Sequence, residues 1–201
     1  LERSAERIFT FYSYKGGVGR SLAMWNVACV LADSGRRVLL IDADFRRPRL
    51  QNVFDLPNEA GLSNVLVGQA ELEEVVQKPH DAEDEEMESF DVLTTGPVPP
   101  NPAELLDSQA MRDFLKAASE EYDRVIIDTP PILFVADASI VAGMSDGVIM
   151  VVRSGQDTRS MVRRAASELQ DVGARILGCV LNDLKIARLS YYYSDYYYYG
   201  Y

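Results

Sequence analysis

The sequence predicts an α/β fold, a mostly parallel sheet with helices on both faces. Short apolar runs alternate along the chain with longer segments of helical periodicity. The runs are continuously apolar, as in strands covered on both sides. Gly35 and Gly173 stand where two of the helices should stop.

Residues 7–13 (Arg-Ile-Phe-Thr-Phe-Tyr-Ser) read as the first strand. A helix over 21–34 follows, with Ala23, Val27, Val30 and Leu31 giving its apolar spacing. Residues 37–42 (Arg-Val-Leu-Leu-Ile-Asp) are a buried strand, and 61–68 and 71–77 suit short helices. Residues 90–94 are a strand, and 97–102 a proline-rich connector that cannot lie inside a helix. One helix is expected over 102–121, with Pro102 in its first turn. Then come a strand at 124–128, a helix at 136–144, a strand at 147–152, a helix at 158–172 and a last strand at 176–181. There is no internal repeat. One domain is expected over 1–189, followed by a flexible tyrosine-rich tail over 190–201.

The chain has 201 residues, 47% of them hydrophobic, enough for a sizeable core. A net charge of −11 argues against a nucleic-acid partner, because phosphate backbones call for a basic stripe. The acidic run at 81–88 reads as a solvated loop, and His80, beside it, as a lone surface residue. Cys29 and Cys179 read as small buried hydrophobes of a reducing compartment. No apolar run reaches the roughly 18 residues of a membrane span, and no signal peptide is evident.

The first strand runs into Tyr14-Lys15-Gly16-Gly17-Val18-Gly19-Arg20-Ser21 and then a helix. This is a phosphate loop by position and composition. Glycines let backbone N–H groups approach an anion, and the helix start adds its dipole. Compared with Gly-x-x-x-x-Gly-Lys-[Ser/Thr], Tyr14 replaces the first glycine and Arg20 the lysine. Lys15 adds a cation at the loop entry. The nucleotide-contacting set is Lys15, Gly16, Gly17, Val18, Gly19, Arg20, Ser21 and Leu22, with Lys15 and Arg20 as the catalytic cations. Asp42 and Asp44 end the second strand, and Asp128 ends Val125-Ile126-Ile127-Asp128. Ligands of parallel sheets sit beyond the carboxyl ends of strands, so all three carboxylates should face the loop. Mg²⁺ takes oxygen ligands. Ser21 suits it directly, with Asp44 and Asp128 close by, which leaves Asp42 to accept a proton from an attacking hydroxyl.

Eight of the last eleven residues are tyrosine: Tyr191, Tyr192, Tyr193, Tyr196, Tyr197, Tyr198, Tyr199 and Tyr201. Neither helical nor strand periodicity explains them. A row of phenols at a chain end can accept phosphoryl groups, each adding about −1.5 to −2 charges.

Together these stretches resemble the bacterial tyrosine kinases of polysaccharide export (BY-kinases), within the MinD/ParA group of P-loop ATPases with deviant Walker motifs. Residues 42–48 are similar to the family's Walker A′ motif and 125–131 to its Walker B; stretches 61–66, 96–106 and 135–138 and the tail also match. The resemblance implies an ATP- and Mg²⁺-dependent tyrosine kinase, with Asp42 as base and Asp44 and Asp128 serving Mg²⁺. Asn182 falls where the wider group contacts adenine. The tail would be phosphorylated in trans within a ring or dimer. A membrane-embedded polysaccharide co-polymerase would activate the enzyme, and a tyrosine phosphatase would reverse the modification. The resemblance thus places the chain in the cytoplasm, at the inner face of the membrane, regulating capsular or exopolysaccharide synthesis and export. Two departures stand out: Arg20 replaces a lysine, and the ring-forming Glu-x-x-Arg-x-x-Arg segment is absent from residues 1–7. Two rival readings stay open, a MinD/ParA-type dimerising ATPase and a nucleotide-binding scaffold with weakened catalysis.

Overall fold

The computed structural model describes residues 6–79, 90–131 and 136–185. His80, the acidic run, Val135 and the tyrosine tail lie outside the described residues. Six strands form one sheet in the order β3-β2-β4-β1-β5-β6. They are β1 (Ile8–Tyr12), β2 (Val38–Asp42), β3 (Asp91–Leu93), β4 (Arg124–Asp128), β5 (Gly147–Arg153) and β6 (Ile176–Asn182). Every strand-to-strand pairing is parallel.

Alternate residues of one strand serve opposite faces. Leu39 and Ile41 of β2 join Val125 and Ile127 in one core, against Met111, Leu115 and Ala118 of α6 (Gln109–Glu121). Val38 and Leu40 join Phe11 and Ile126 in the other, against Met24, Ala28 and Ala32 of α1 (Arg20–Asp33). All five residues of β2 are therefore buried, which is why the strand carries no polar alternation. A smaller core places Tyr12, Val148 and Met150 against α7 (Asp137–Met144) and α8 (Arg159–Asp171).

The expected elements are present, with corrections in detail. The buried face of α1 is Met24, Ala28 and Ala32, whereas Val30 is exposed and Ala23, Val27 and Leu31 sit at its margin. Both stripes have helical spacing. The sheet selects the one with small residues, because alanine lets the helix backbone pack close. The single helix expected over 102–121 is two, α5 (Pro102–Leu106) and α6. The break is chemical: Ser108 is extended and its hydroxyl accepts the Met111 N–H at 3.1 Å, capping a new helix. A short helix, α2 (Leu50–Val53), has no counterpart in the sequence reading, and the short helices expected at 61–68 and 71–77 are α3 (Leu62–Leu66) and α4 (Leu72–Val75). Cys179, expected to be buried, is exposed, because β6 is an edge strand whose residues 177–181 are open to solvent. Cys29 is half-buried, and neither thiol forms a disulfide. No helix among the described residues is long and apolar enough to cross a membrane.

Candidate functional site

Strands β2, β4 and β1 are neighbours, so their carboxyl ends deliver Asp42, Asp128 and the phosphate loop to one place. The register sets Asp42 directly across from Asp128, and Asp128 across from Phe11. Beyond these ends lies a cavity of about 560 Å³, lined by Ser13, residues 16–22, Asp44, Arg46, Arg47, Arg49, Pro130 and Pro131.

The loop has the conformation its glycines allow. Gly17 and Gly19 have φ of 75° and 85°, the left-handed region that an L side chain rarely adopts. A Cβ on Gly19 would also lie 2.1 Å from Asn182 Nδ2, so this position is closed to side chains twice over. Asn182 Nδ2 donates to the Val18 carbonyl at 2.9 Å, and Arg153 donates to the Gly17 carbonyl at 3.1 Å. β5 and β6 thereby brace the loop from beneath. Asn182 is engaged with the loop backbone and does not line the cavity.

Arg20 opens α1 and is almost buried. Its Nε donates to Asp128 Oδ1 at 2.6 Å and its Nη1 to Ser13 Oγ at 3.1 Å. Ser21 Oγ donates to the other Asp128 oxygen at 2.9 Å. The loop cation, the loop hydroxyl and the β4 carboxylate thus form one hydrogen-bonded unit. Lys15 points elsewhere, to Asp157 Oδ1 at 3.3 Å and the Gln156 carbonyl at 3.0 Å. Of the two loop cations, Arg20 lines the cavity and Lys15 does not.

Asp42 is wholly buried. Its Oδ1 accepts the Asp44 N–H at 3.0 Å, and its Oδ2 accepts the N–H groups of Arg49 and Leu50 at 2.8 and 2.9 Å. Burial raises its pKa to about 7, with the facing Asp128 charge adding to the effect and the three N–H groups opposing it. A carboxyl with such a value is poised for proton transfer near neutrality. Asp44 lines the cavity, accepts the Arg47 N–H at 3.0 Å, and is also shifted upward by burial.

Arg46, Arg47 and Arg49 were given no role by the sequence reading, yet all three line the cavity. The run Arg46-Arg47-Pro48-Arg49 directly after the paired aspartates was the available signal. Arg46 forms a two-point pair with the buried Asp137 at the start of α7, at 2.8 and 3.3 Å, tying this loop to the next layer.

Residues 6–176 match the AAA domain family. Tyrosine-protein kinase YwqD of Bacillus subtilis (strain 168) is 41% identical over 184 residues, spanning 92% of this chain and 73% of that protein. The chain belongs to the bacterial tyrosine kinases. Tyrosine-protein kinase etk of Escherichia coli (strain K12) is 42% identical over 176 residues, which span 88% of the kinase described here and 23% of etk. The solved kinase domain of Escherichia coli tyrosine kinase ETK superposes with a TM-score of 0.83 at 38% identity, over 90% of this kinase and 69% of that chain. The septum site-determining protein MinD of Pyrococcus horikoshii OT3, solved with Mg-ADP, superposes with a TM-score of 0.71 at 25% identity, over 88% of this kinase and 70% of that chain. The kinase therefore has a P-loop ATPase-type fold, of the parallel α/β class that the alternation of strands and helices predicts.

Proposed function

We propose that this tyrosine kinase uses ATP with Mg²⁺ and phosphorylates the tyrosine cluster at the end of a second copy of its own chain. The observation that carries the reading is a left-handed glycine loop, the Ser21 side chain and Asp44 lining one cavity, with Asp42 and Asp128 buried behind it at the adjoining strand ends, in a chain whose last eleven residues include eight tyrosines.

The residues fit such a ligand. The loop amides and the start of α1 favour phosphate oxygens. Among the described residues no three His, Cys, Asp or Glu side chains are grouped to hold a metal by themselves. That suits Mg²⁺, which takes one or two carboxylates and completes its shell with water and phosphate. Ser21, Asp44 and Asp128 would hold it. When bound, ATP would supply the phosphoryl group and Mg²⁺ would offset its charge. Each Asp128 oxygen already accepts one hydrogen bond, from Arg20 or from Ser21, and keeps a second lone-pair site for the metal or its water. Arg20, which lines the cavity, would meet the phosphates in place of the usual lysine. Asp42 takes the phenol proton, and its raised pKa suits the task at neutral pH. The site residues position and neutralise, which is most of what phosphoryl transfer asks of a protein.

The family resemblance extends this reading to a membrane-embedded activator of polysaccharide export, to self-association and to an opposing phosphatase. A mixing experiment tests its centre. A chain truncated after Ser190 is incubated with full-length Asp42→Asn, ATP and Mg²⁺, and the products are read by mass spectrometry. Phosphotyrosine on the full-length partner supports transfer in trans. Free phosphate alone points to a MinD/ParA-type ATPase cycle, and bound nucleotide without turnover to a scaffold.

A further inference from the structure

The cations around the loop and the cavity are of two kinds. Four are neutralised by a carboxylate: Lys15 by Asp157, Arg20 by Asp128, Arg46 by Asp137 and Arg153 by Asp183. Arg47 and Arg49 are different. Both line the cavity, both are exposed, and among the described residues neither guanidinium has a carboxylate partner. In a chain of net charge −11, two uncompensated arginines at one cavity are conspicuous.

Their attachment is as informative as their charge. The backbone N–H of Arg47 is held by Asp44 at 3.0 Å, and that of Arg49 by Asp42 at 2.8 Å. Each free guanidinium is thus rooted on one of the two aspartates read above as metal-binding and proton-accepting groups. Pro48 between them fixes its own φ and stiffens the segment.

We propose that Arg47 and Arg49 form a subsite for an anionic group flanking the acceptor tyrosine, which rests on the reading of the tail as acceptor and of Asp42 as its base. The tail offers two such anions, the Asp195 carboxylate and any phosphotyrosine already formed. Neighbouring residues of an extended chain are about 3.5 Å apart. An anion one or two residues from the acceptor phenol therefore falls near an arginine rooted on the base. Guanidinium groups bind phosphate in a two-point, charge-assisted geometry, so phosphotyrosine is the stronger occupant. Phosphorylation of a tyrosine run then reinforces itself: the first transfer to a tail is the slowest, and later ones use the phosphate before them as a handle.

The test uses the full chain and synthetic copies of residues 190–201 carrying one acceptor, Tyr198, with the other tyrosines replaced by phenylalanine. One peptide has phosphotyrosine at position 197, one lacks it, and one also carries Asp195→Asn. Peptide binding by fluorescence anisotropy, peptide KM and kcat, and nucleotide affinity are measured. The phosphorylated peptide should bind on the order of 5- to 10-fold tighter, with the change in KM and not in kcat. The double variant Arg47→Ala, Arg49→Ala should erase this preference, and the double lysine variant should keep part of it. Weaker binding of the Asp195→Asn peptide would add the carboxylate as a second occupant, while no change would leave phosphotyrosine as the occupant. A preference that survives in the alanine variant overturns the proposal. So does a loss of nucleotide affinity with peptide preference intact, which would place the arginines on the nucleotide. Wild-type chain that phosphorylates none of the peptides refutes the tail as acceptor, and the binding measurements still decide the subsite.

Discussion

Replacing Arg20 by alanine tests two ideas at once, because the structure gives this residue a partner inside the protein. Arg20 and Asp128 are 8% and 1% exposed and 2.6 Å apart. Removing one member of such a buried pair typically costs about 3–5 kcal/mol, since the other charge is left buried without compensation. Among the described residues Asp128 then keeps only the Ser21 hydroxyl, and it faces Asp42 across the sheet, a second carboxylate with no cation partner there. The full range of about 3–5 kcal/mol is the expected loss, a large share of a domain's usual 5–15 kcal/mol. Arg20→Lys should cost about 1–2 kcal/mol, because lysine restores the charge but not the two-point reach to Asp128 and Ser13. Urea denaturation at pH 8 reads these numbers, and phosphotyrosine formation reads turnover. Arg20→Ala should abolish turnover, whereas Arg20→Lys should retain or raise it. Should Arg20→Ala denature within about 0.5 kcal/mol of wild type, the buried ion pair is not what it is taken to be here. If Lys15→Ala is instead the dead variant and Arg20→Ala merely weak, the catalytic cation is Lys15. No effect of either change on turnover would overturn the account of the loop altogether.

Further outcomes are expected. Asp42→Asn should lower phosphotyrosine formation by roughly 10²- to 10⁴-fold while nucleotide binding survives, and unchanged kinetics would remove Asp42 from the role of base. Because burial raises the Asp42 carboxyl from 3.8 to about 7, the folded chain holds more protons than the unfolded chain between those values. Its contribution to stability is therefore full below pH of about 4 and lost as pH rises through about 7, and denaturation of Asp42→Asn should lack this slope. Asp44→Asn and Asp128→Asn should each weaken the Mg²⁺ dependence of turnover, but only Asp128→Asn should also destabilise the fold, by about 3 kcal/mol, since it strands Arg20; equal stability of the two variants would contradict the pairing. Gly19→Ala should abolish nucleotide binding and lower stability by more than about 1 kcal/mol, and adding Asn182→Ala should recover only the part due to collision, leaving the backbone strain. Truncation after Ser190 should end self-phosphorylation and leave nucleotide affinity at the wild-type value, which a titration with a fluorescent nucleotide would check.

The sequence by itself determined the layers, the strand order of events along the chain and the chemistry of the loop. Continuous apolar runs such as Val38-Leu39-Leu40-Ile41 suit strands covered on both faces, and Gly17 and Gly19 supply backbone that other residues avoid. These are local properties, fixed by a residue and its near neighbours. The direction in which each charge points was decided by tertiary structure alone. Arg20 turning to Asp128, Lys15 turning to Asp157 and Asn182 gripping the Val18 carbonyl all join residues more than 100 positions apart. The buried face of α1 was settled the same way, since two helical stripes were available and only the sheet could choose between them. So was the state of Asp42, whose raised pKa arises from burial and from a carboxylate on a neighbouring strand. A sequence names the groups that can carry charge. Which of them are neutralised, and which line a cavity without a carboxylate partner among the described residues, as Arg47 and Arg49 do, depends on distances that only the folded chain sets.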